Sequence, residues 1–338
     1  MAMSRFIRHT TAALLTALLL GASSAFAIQE GPEDFFPASL DPFTGEYEGH
    51  WEKGEDVDIH AAAYVYALGR DRYHIRFAAK LDMRCPPKFE VEAKAVDGKL
   101  EFEERPYSGV IENGVMTGGR GRLATFTLKK VERPIAAMGT PAPEGAVVLF
   151  DGSGLDAWTG ADGAIITPEG ALMVTPDSEY LSSKEKFNDV HLHIEFRLPY
   201  KPTASGQARG NSGVFLNKEY EVQVLDSFGL EGYYDECGAI YKVAAPKVNA
   251  CRPPLQWQAY DIDFHPAEFD ADGKVVKNPR MTVWHNDKLV HNDQELWWIT
   301  GWKDEDRAEP HVPAPESIRL QGHGNYVQYR NIWAKPLN

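Results

Sequence analysis

Short runs in which apolar and polar residues alternate, cut at close intervals by Gly, Asn, Asp and Pro, fill the chain from Phe43 onward. A period of two is the mark of a strand with one buried face. Between Phe43 and Arg133 the clearest runs are "AAAYVYAL", "RYHIRFAA", "FEVEAKAV", "KLEFEER", "GVIENGVMTG" and "LATFTLKKV". Asp97-Gly98 and Asn113-Gly114 are residue pairs that tolerate the positive φ of a tight hairpin turn. The Pro-, Gly- and Ala-rich residues 134–146 predict a linker. Beyond Val147 the strand pattern resumes in "ALMVT", "VHLHIEFRL", "SGVFLN", "YEVQVLD", "QAYDIDFH", "RMTVWHN", "KLVHN", "SIRLQGH" and "YVQYRNIWAK", with "HNDK" as a hairpin turn. Helical periodicity is almost absent. The pattern predicts an all-β protein: a small β domain over residues 28–133, with an irregular lead-in to Asp41, then a β-sandwich or jelly roll over 147–338.

The first residues change the picture of where the chain works. "MAMSRFIRHTTAALLTALLLGASSAFA" has Arg5 and Arg8, an apolar run from Ala12 to Leu20, and a small-x-small ending at Ala27. That run is too short to span a bilayer and has the flanks of an export signal, so residues 1–27 are expected to be removed and the protein to be periplasmic or secreted. The net charge is −14, and the leader holds two arginines and no acid, so the remainder is more acidic still. Such a chain repels phosphate backbones and anionic lipid, which argues against nucleic acid or a membrane surface as partner. In an oxidising compartment Cys237 and Cys251 are expected to close a disulfide, worth about 3 kcal/mol on the chain-entropy account. Cys85 is left over. No close Cys-x-x-Cys spacing suggests zinc.

Candidate chemistry comes from the polar faces of three strands. In "YEVQVLD", Val222 and Val224 take one face and Glu221 and Gln223 the other, with Asp226 just beyond. In "SIRLQGHG", Ile318 and Leu320 form the core row while Arg319, Gln321 and His323 share the polar one. In "GNSGVFLN", Val214 and Leu216 face inward and Asn211, Gly213 and Phe215 outward. If these strands line one sheet, their polar rows converge. A histidine between Gly322 and Gly324 suits close approach of a ligand and proton transfer near neutral pH. Tyr241 and Lys242 are further polar candidates. His191 and His193 share one face, but two imidazoles without a third ligand do not make a metal site. Trp297, Trp298 and Trp302 in "ELWWITGW" suit either a sugar-stacking platform or a plug at the end of the sandwich.

Taken together, "VVLFDGSGLDAW", "HLHIEFRL", "GNSGVFL", "YEVQVLDS", "CGAIYKVAAPKVNACRPPLQWQAYDI", "MTVWHNDKLV" and "IRLQGHGNYVQYRNIWAKPL" resemble the 3-keto-disaccharide hydrolase family, long described as a domain of unknown function, over residues 145–338. The resemblance implies a concanavalin A-like jelly-roll sandwich in an exported carbohydrate-active enzyme acting on sugars oxidised at carbon 3. A ketone there acidifies the hydrogen on carbon 2, so a base can remove it and the group on carbon 1 can leave by elimination, with water adding back afterwards. Such a route needs a base, a polariser for the enolate oxygen and help for the leaving group. The residues expected to supply them are Glu221, His323 and Asp226 as catalytic groups, with Gln223, Arg319, Gln321, Asn211, Tyr241 and Lys242 binding substrate. Which of Glu221 and His323 is the base stays open. So does a structural or catalytic divalent cation such as calcium, although no metal ligand is assigned.

Two other readings compete. A retaining glucanase of this shape carries E-x-D-x-x-E or E-x-D-x-E on one strand, its nucleophile and acid about 5–5.5 Å apart. Here the stretch is Glu221-x-Gln223-x-x-Asp226, an amide and a shorter acid in the corresponding places. A non-catalytic carbohydrate-binding module is the other.

Overall fold

The computed structural model describes residues 31–52, 58–84, 86–301 and 311–337. The leader, Cys85 and Trp302 lie outside these. Apart from the short helix Pro32–Phe35 and a 3-10 turn at Gly206–Ala208, the described elements are strands.

The first eight are β1 (Gly45–Glu52), β2 (Asp58–Gly69), β3 (Arg72–Ala78), β4 (Phe89–Val96), β5 (Lys99–Glu104), β6 (Tyr107–Glu112), β7 (Val115–Arg120) and β8 (Thr125–Val131). Each pairs antiparallel with the next, and β1 pairs with β8 to close a barrel. The turns at Asp97-Gly98 and Asn113-Gly114 have positive φ at both residues, as expected. Tyr47, Ala61, Ala63, Val65, Ile75, Phe77, Leu100, Ile111, Met116, Phe126 and Leu128 fill the interior. On β2 the intervening Ala62, Tyr64 and Tyr66 are also buried, but in the core of the second half of the chain. This strand reads as an unbroken apolar run because both its faces are covered.

The rest comprises β9 (Val147–Phe150), β10 (Trp158–Thr159), β11 (Ile165–Ile166), β12 (Leu172–Val174), β13 (Tyr180–Phe187), β14 (Val190–Arg197), β15 (Ser212–Leu216), β16 (Tyr220–Val224), β17 (Trp257–His265), the hairpin β18 (Glu268–Phe269) and β19 (Val275–Lys277), then β20 (Arg280–His285), β21 (Lys288–Glu295), β22 (Glu316–Gln321) and β23 (Val327–Pro336). One sheet runs β10-β13-β22-β15-β16. The other runs β11-β12-β23-β14-β17-β20-β21, with β9 also on β23. The apolar rows of both meet in one core, Val214, Val222, Val224, Ile318 and Leu320 from the first and Leu192, Ile194, Phe196, Ile262 and Tyr329 from the second. Asn286 and Asp287, the "HNDK" turn, sit at positive φ between β20 and β21.

Barrel and sandwich are joined by buried charge. Arg252 Nη1 donates to Glu46 at 2.9 Å, Arg133 Nε to the same carboxylate at 2.8 Å, and Arg76 Nη1 to the Gly229 carbonyl at 3.1 Å. Residues 134–146 are no loose tether. The Ala136 and Ala137 amides donate to Asp287, the Gly139 amide to Glu195 at 2.6 Å, and the Thr140 carbonyl accepts from Asn331 and Trp333. The expected disulfide is corrected: Cys237 and Cys251 are free, buried thiols, the Cys251 thiol directed at the Leu225 and Arg252 carbonyls. Cys237 also contacts the Tyr260 hydroxyl at 3.1 Å, so its partners are those of a packed thiol rather than a crosslink.

Candidate functional site

The outer face of the five-stranded sheet carries the expected cluster. Alternation puts Val222, Leu320 and Val214 in the core, so their neighbours must face away from it. The pairing then aligns them. Ser182 opposes Arg319, Arg319 opposes Phe215, and Phe215 opposes Glu221. In the next row Tyr180 opposes Gln321 and Gly213 opposes Gln223. Beyond β16 the segment 238–241 extends the sheet, its Tyr241 amide donating to the Glu221 carbonyl at 3.0 Å. Thr300 Oγ1 receives the Glu221 amide at 3.1 Å, so both edges of this residue are held.

Glu221 is the unusual group. It is 6 % exposed, and burial alone pushes its carboxyl up to about 8. Among the described residues no cation pairs with it. Its place exists because residue 213 is glycine: a Cβ there would stand 2.3 Å from Glu221 Oε1 and 2.9 Å from the Phe215 ring. The Tyr241 phenol is pushed to about 12, by burial first and then by the Glu221 charge. Among the described residues the buried atoms Asn211 Oδ1, Gln321 Oε1 and Arg319 Nε of this face have no partner. A buried polar atom without a partner costs about 1–3 kcal/mol, so a face that collects several is built for something that supplies the missing bonds.

Other expected residues are placed differently. Asp226 is not turned to the Glu221 row: β16 ends at Val224, alternation lapses, and the carboxylate is buried against Arg209, with Nε–Oδ2 at 2.7 Å, while Oδ1 accepts the Phe228 amide. Arg319 shares a row with Glu221 but does not pair with it. Phe215 lies between them, and the guanidinium donates to the Lys218 carbonyl at 3.2 Å and lies over the Tyr180 ring. Gln223 spends its amide locally, on Gln207 Oε1 at 3.1 Å and the Val224 amide at 3.0 Å. The Lys242 ammonium pairs with Asp235 at 3.0 Å and lies over Tyr234.

His323 follows β22 and is exposed, its carbonyl accepting from Asn325. A strand rise of ~3.3 Å per residue and two strand spacings of ~4.8 Å would set its Cα roughly 16 Å from that of Glu221. The two expected proton-transfer residues are therefore not brought onto one atom.

Two residues of this face were not among the candidates. Gln207, on the 3-10 turn, accepts from both Asn211 at 2.8 Å and Gln223, and donates to the Asp235 carbonyl. Nothing in its sequence context marks it. Tyr180 is 42 % exposed, packs edge-on against Phe215 and receives a hydrogen bond from Gln321. Its alternation with Leu181 on β13 was a usable signal. Trp297 is exposed and so does not plug the sandwich. His191 and His193 are each held by an aspartate, Asp263 at 2.6 Å and Asp261 at 2.8 Å. Among the described residues no three His, Cys, Asp or Glu side chains gather as a metal site would need.

Comparison with known proteins follows this geometry. A candidate glycosyl hydrolase of Parabacteroides distasonis ATCC 8503 is similar at 33 % identity and a TM-score of 0.54, covering 62 % of this chain and 94 % of that one. A second from the same organism is 17 % identical over 58 % of this chain and 95 % of that one, with a TM-score of 0.41, too slight a likeness to argue from. No curated protein matches the chain. The profile described as the 3-keto-alpha-glucoside-1,2-lyase-like domain matches residues 145–335, which hold the whole outer face built around Glu221. The chain belongs to that family.

Proposed function

We propose that this protein is a carbohydrate-active enzyme that cleaves the glycosidic bond of 3-keto-glycosides, with Glu221 as the base that takes the proton from carbon 2. One observation carries the reading: a buried carboxyl, raised by burial to about 8, stands, among the described residues, without a cation on a face of unpartnered amide and guanidine atoms. A carboxylate destabilised in this way is a stronger base than an exposed one, and the most useful general base titrates near the working pH. Removing the proton sends the C2–H electron pair into the C1–C2 bond as the C1–O bond breaks. The leaving oxygen takes up a proton from water, Glu221 later returns the one it accepted to solvent, and the sugar becomes an unsaturated ketone to which water adds. Arg319 Nε donates to a carbonyl oxygen of the sugar, Gln321 Oε1 and Asn211 Oδ1 accept from its hydroxyls, and the Tyr241 phenol stands close enough to feel the Glu221 charge.

Against the retaining-glucanase reading, the outward rows around Glu221 hold a single carboxyl. Asp226, the second that double displacement would need, is engaged by Arg209. The experiment incubates the purified chain with a 3-keto-glucoside and with its unoxidised parent and follows leaving-group release. Release from the ketone alone, slowed when carbon 2 carries deuterium, is the expected result. Release from the parent at a comparable rate favours conventional hydrolysis, and release from neither favours a binding module. Export belongs to the same proposal, and a mature chain beginning at Ile28 in the periplasmic or secreted fraction is its test.

A further inference from the structure

We propose that a cavity at one end of the barrel binds a flat aromatic ring carrying an anionic group. This site is separate from the Glu221 face and does not depend on the chemistry proposed there. The barrel's interior is filled only part of the way. Toward the end formed by the β5–β6 and β7–β8 connections a cavity of 340 Å³ remains, with Trp51, Phe77, Phe89 and Tyr107 in its wall and Lys88 and Arg120 at its mouth. That volume is near the lower end of small-molecule sites, about 300–1,000 Å³, and suits one or two fused rings.

The wall is aromatic on several sides because the pairing makes it so. Phe77 opposes Phe89, Trp51 opposes Phe126, and Tyr107 opposes Arg120. The Phe89 and Tyr107 rings lie parallel at 4.0 Å between centroids, as do Phe77 and Phe89 at the same distance. These walls offer faces and edges for another ring to join. They offer few groups for a ring of hydroxyls, which would lose hydration without replacement.

The charge at the mouth is out of place for a barrel interior. Arg120 sits on the inward row of β7, the row of Met116 and Gly118, opposite the inward Tyr107. Its guanidinium lies 5.9 Å from the Tyr107 ring centroid. Among the described residues neither Arg120 nor Lys88 has a carboxylate partner, in a chain whose net charge is −14. Two cations without a carboxylate partner among the described residues, beside an apolar, ring-lined cavity, select a ligand with an acidic group at one end of a planar body.

The test titrates the full-length chain with 1-anilinonaphthalene-8-sulfonate, a fused aromatic anion, and with the uncharged N-phenyl-1-naphthylamine. Saturable binding of the anion is expected. The double change Arg120→Glu with Lys88→Glu touches only exposed head groups and is expected to weaken anion binding at least tenfold while leaving the neutral dye within twofold. Ala124→Trp, which fills the mouth, is expected to abolish binding of both, with unchanged circular dichroism showing that each variant folds. No saturable anion binding overturns the proposal. So does equal affinity in the charge-reversed protein, or dye binding that survives Ala124→Trp in a folded chain.

Discussion

Both sheets of the sandwich turn polar side chains away from the shared core, and the two outer faces are finished in opposite ways. On the eight-stranded sheet the polar residues of β14 and their neighbours are paired with one another. His191 meets Asp263 and Asp261, and these raise it to about 9, Asp261 contributing most. Burial would lift the Glu195 carboxyl, yet hydrogen bonds from His193, Asn331, Gly139 and Arg330 draw it down to about 2. His193 is fully buried and stacks on Trp333. On the five-stranded sheet Glu221 is also buried, is shifted the other way, and has no such partners among the described residues. Polar content and burial alike fail to separate the two faces. What separates them is whether each group finds its partner inside the chain, and by that measure one face is complete and the other awaits a ligand.

The comparison can be broken most directly at Glu221. Glu221→Gln keeps shape and removes the base, so leaving-group release from a 3-keto-glucoside should fall by about 10²- to 10⁴-fold. In the unaltered protein kcat/KM should rise with pH and level off above about 8. Stability should move the opposite way. A carboxyl raised in the folded state favours folding fully below its ordinary range, and that contribution is lost as pH rises through about 8. Denaturant unfolding should therefore show wild type losing more stability than the Gln variant between pH 5 and pH 8. A variant that kept its activity would return Glu221 to the class of structural residues.

Asp226→Asn tests the boundary between site and scaffold. It leaves Arg209 buried without its counter-charge and should cost about 3–5 kcal/mol in unfolding experiments, while folded enzyme at low temperature turns over nearly normally. Large loss of turnover without loss of stability would restore Asp226 to the chemistry. Gly213→Ala should displace the Glu221 carboxyl without touching its charge and lower kcat/KM by about 10²-fold, with the plateau near pH 8 moved. The smallest effect is expected on the complete face. His191→Asn should cost about 1 kcal/mol at pH 6, because a raised histidine stabilises fully below its ordinary range and loses this as pH rises through about 9. The difference should vanish above that pH, and cleavage should be unchanged throughout.

Much of this was legible along the chain because strands obey a short rule. Alternation alone places Glu221 and Gln223 opposite Val222 and Val224, and Arg319 and Gln321 opposite Leu320, and pairing through β15 does bring those rows together. The rule stops where the strand stops. Asp226 and His323 both lie beyond a strand end, and their environments are set by Arg209 and by the open surface after Gly322. Charge complementarity also misleads at this range: Arg319 and Glu221 share a row, yet a phenylalanine separates them. Gln207 was out of reach for another reason. It contributes from a turn, where no periodicity indicates direction.

The family match opens at residue 145, which invites a cut there to isolate the sandwich. The amides at 136, 137 and 139 and the carbonyl at 140 argue against that incision. Severing the chain at 145 would strip Glu195 of a donor and leave the Trp333 indole N–H and the Asp287 carboxylate to find water. Homology and mechanical integrity thus mark different frontiers in this polypeptide, and a fragment meant to stand alone has to begin upstream of Ala136.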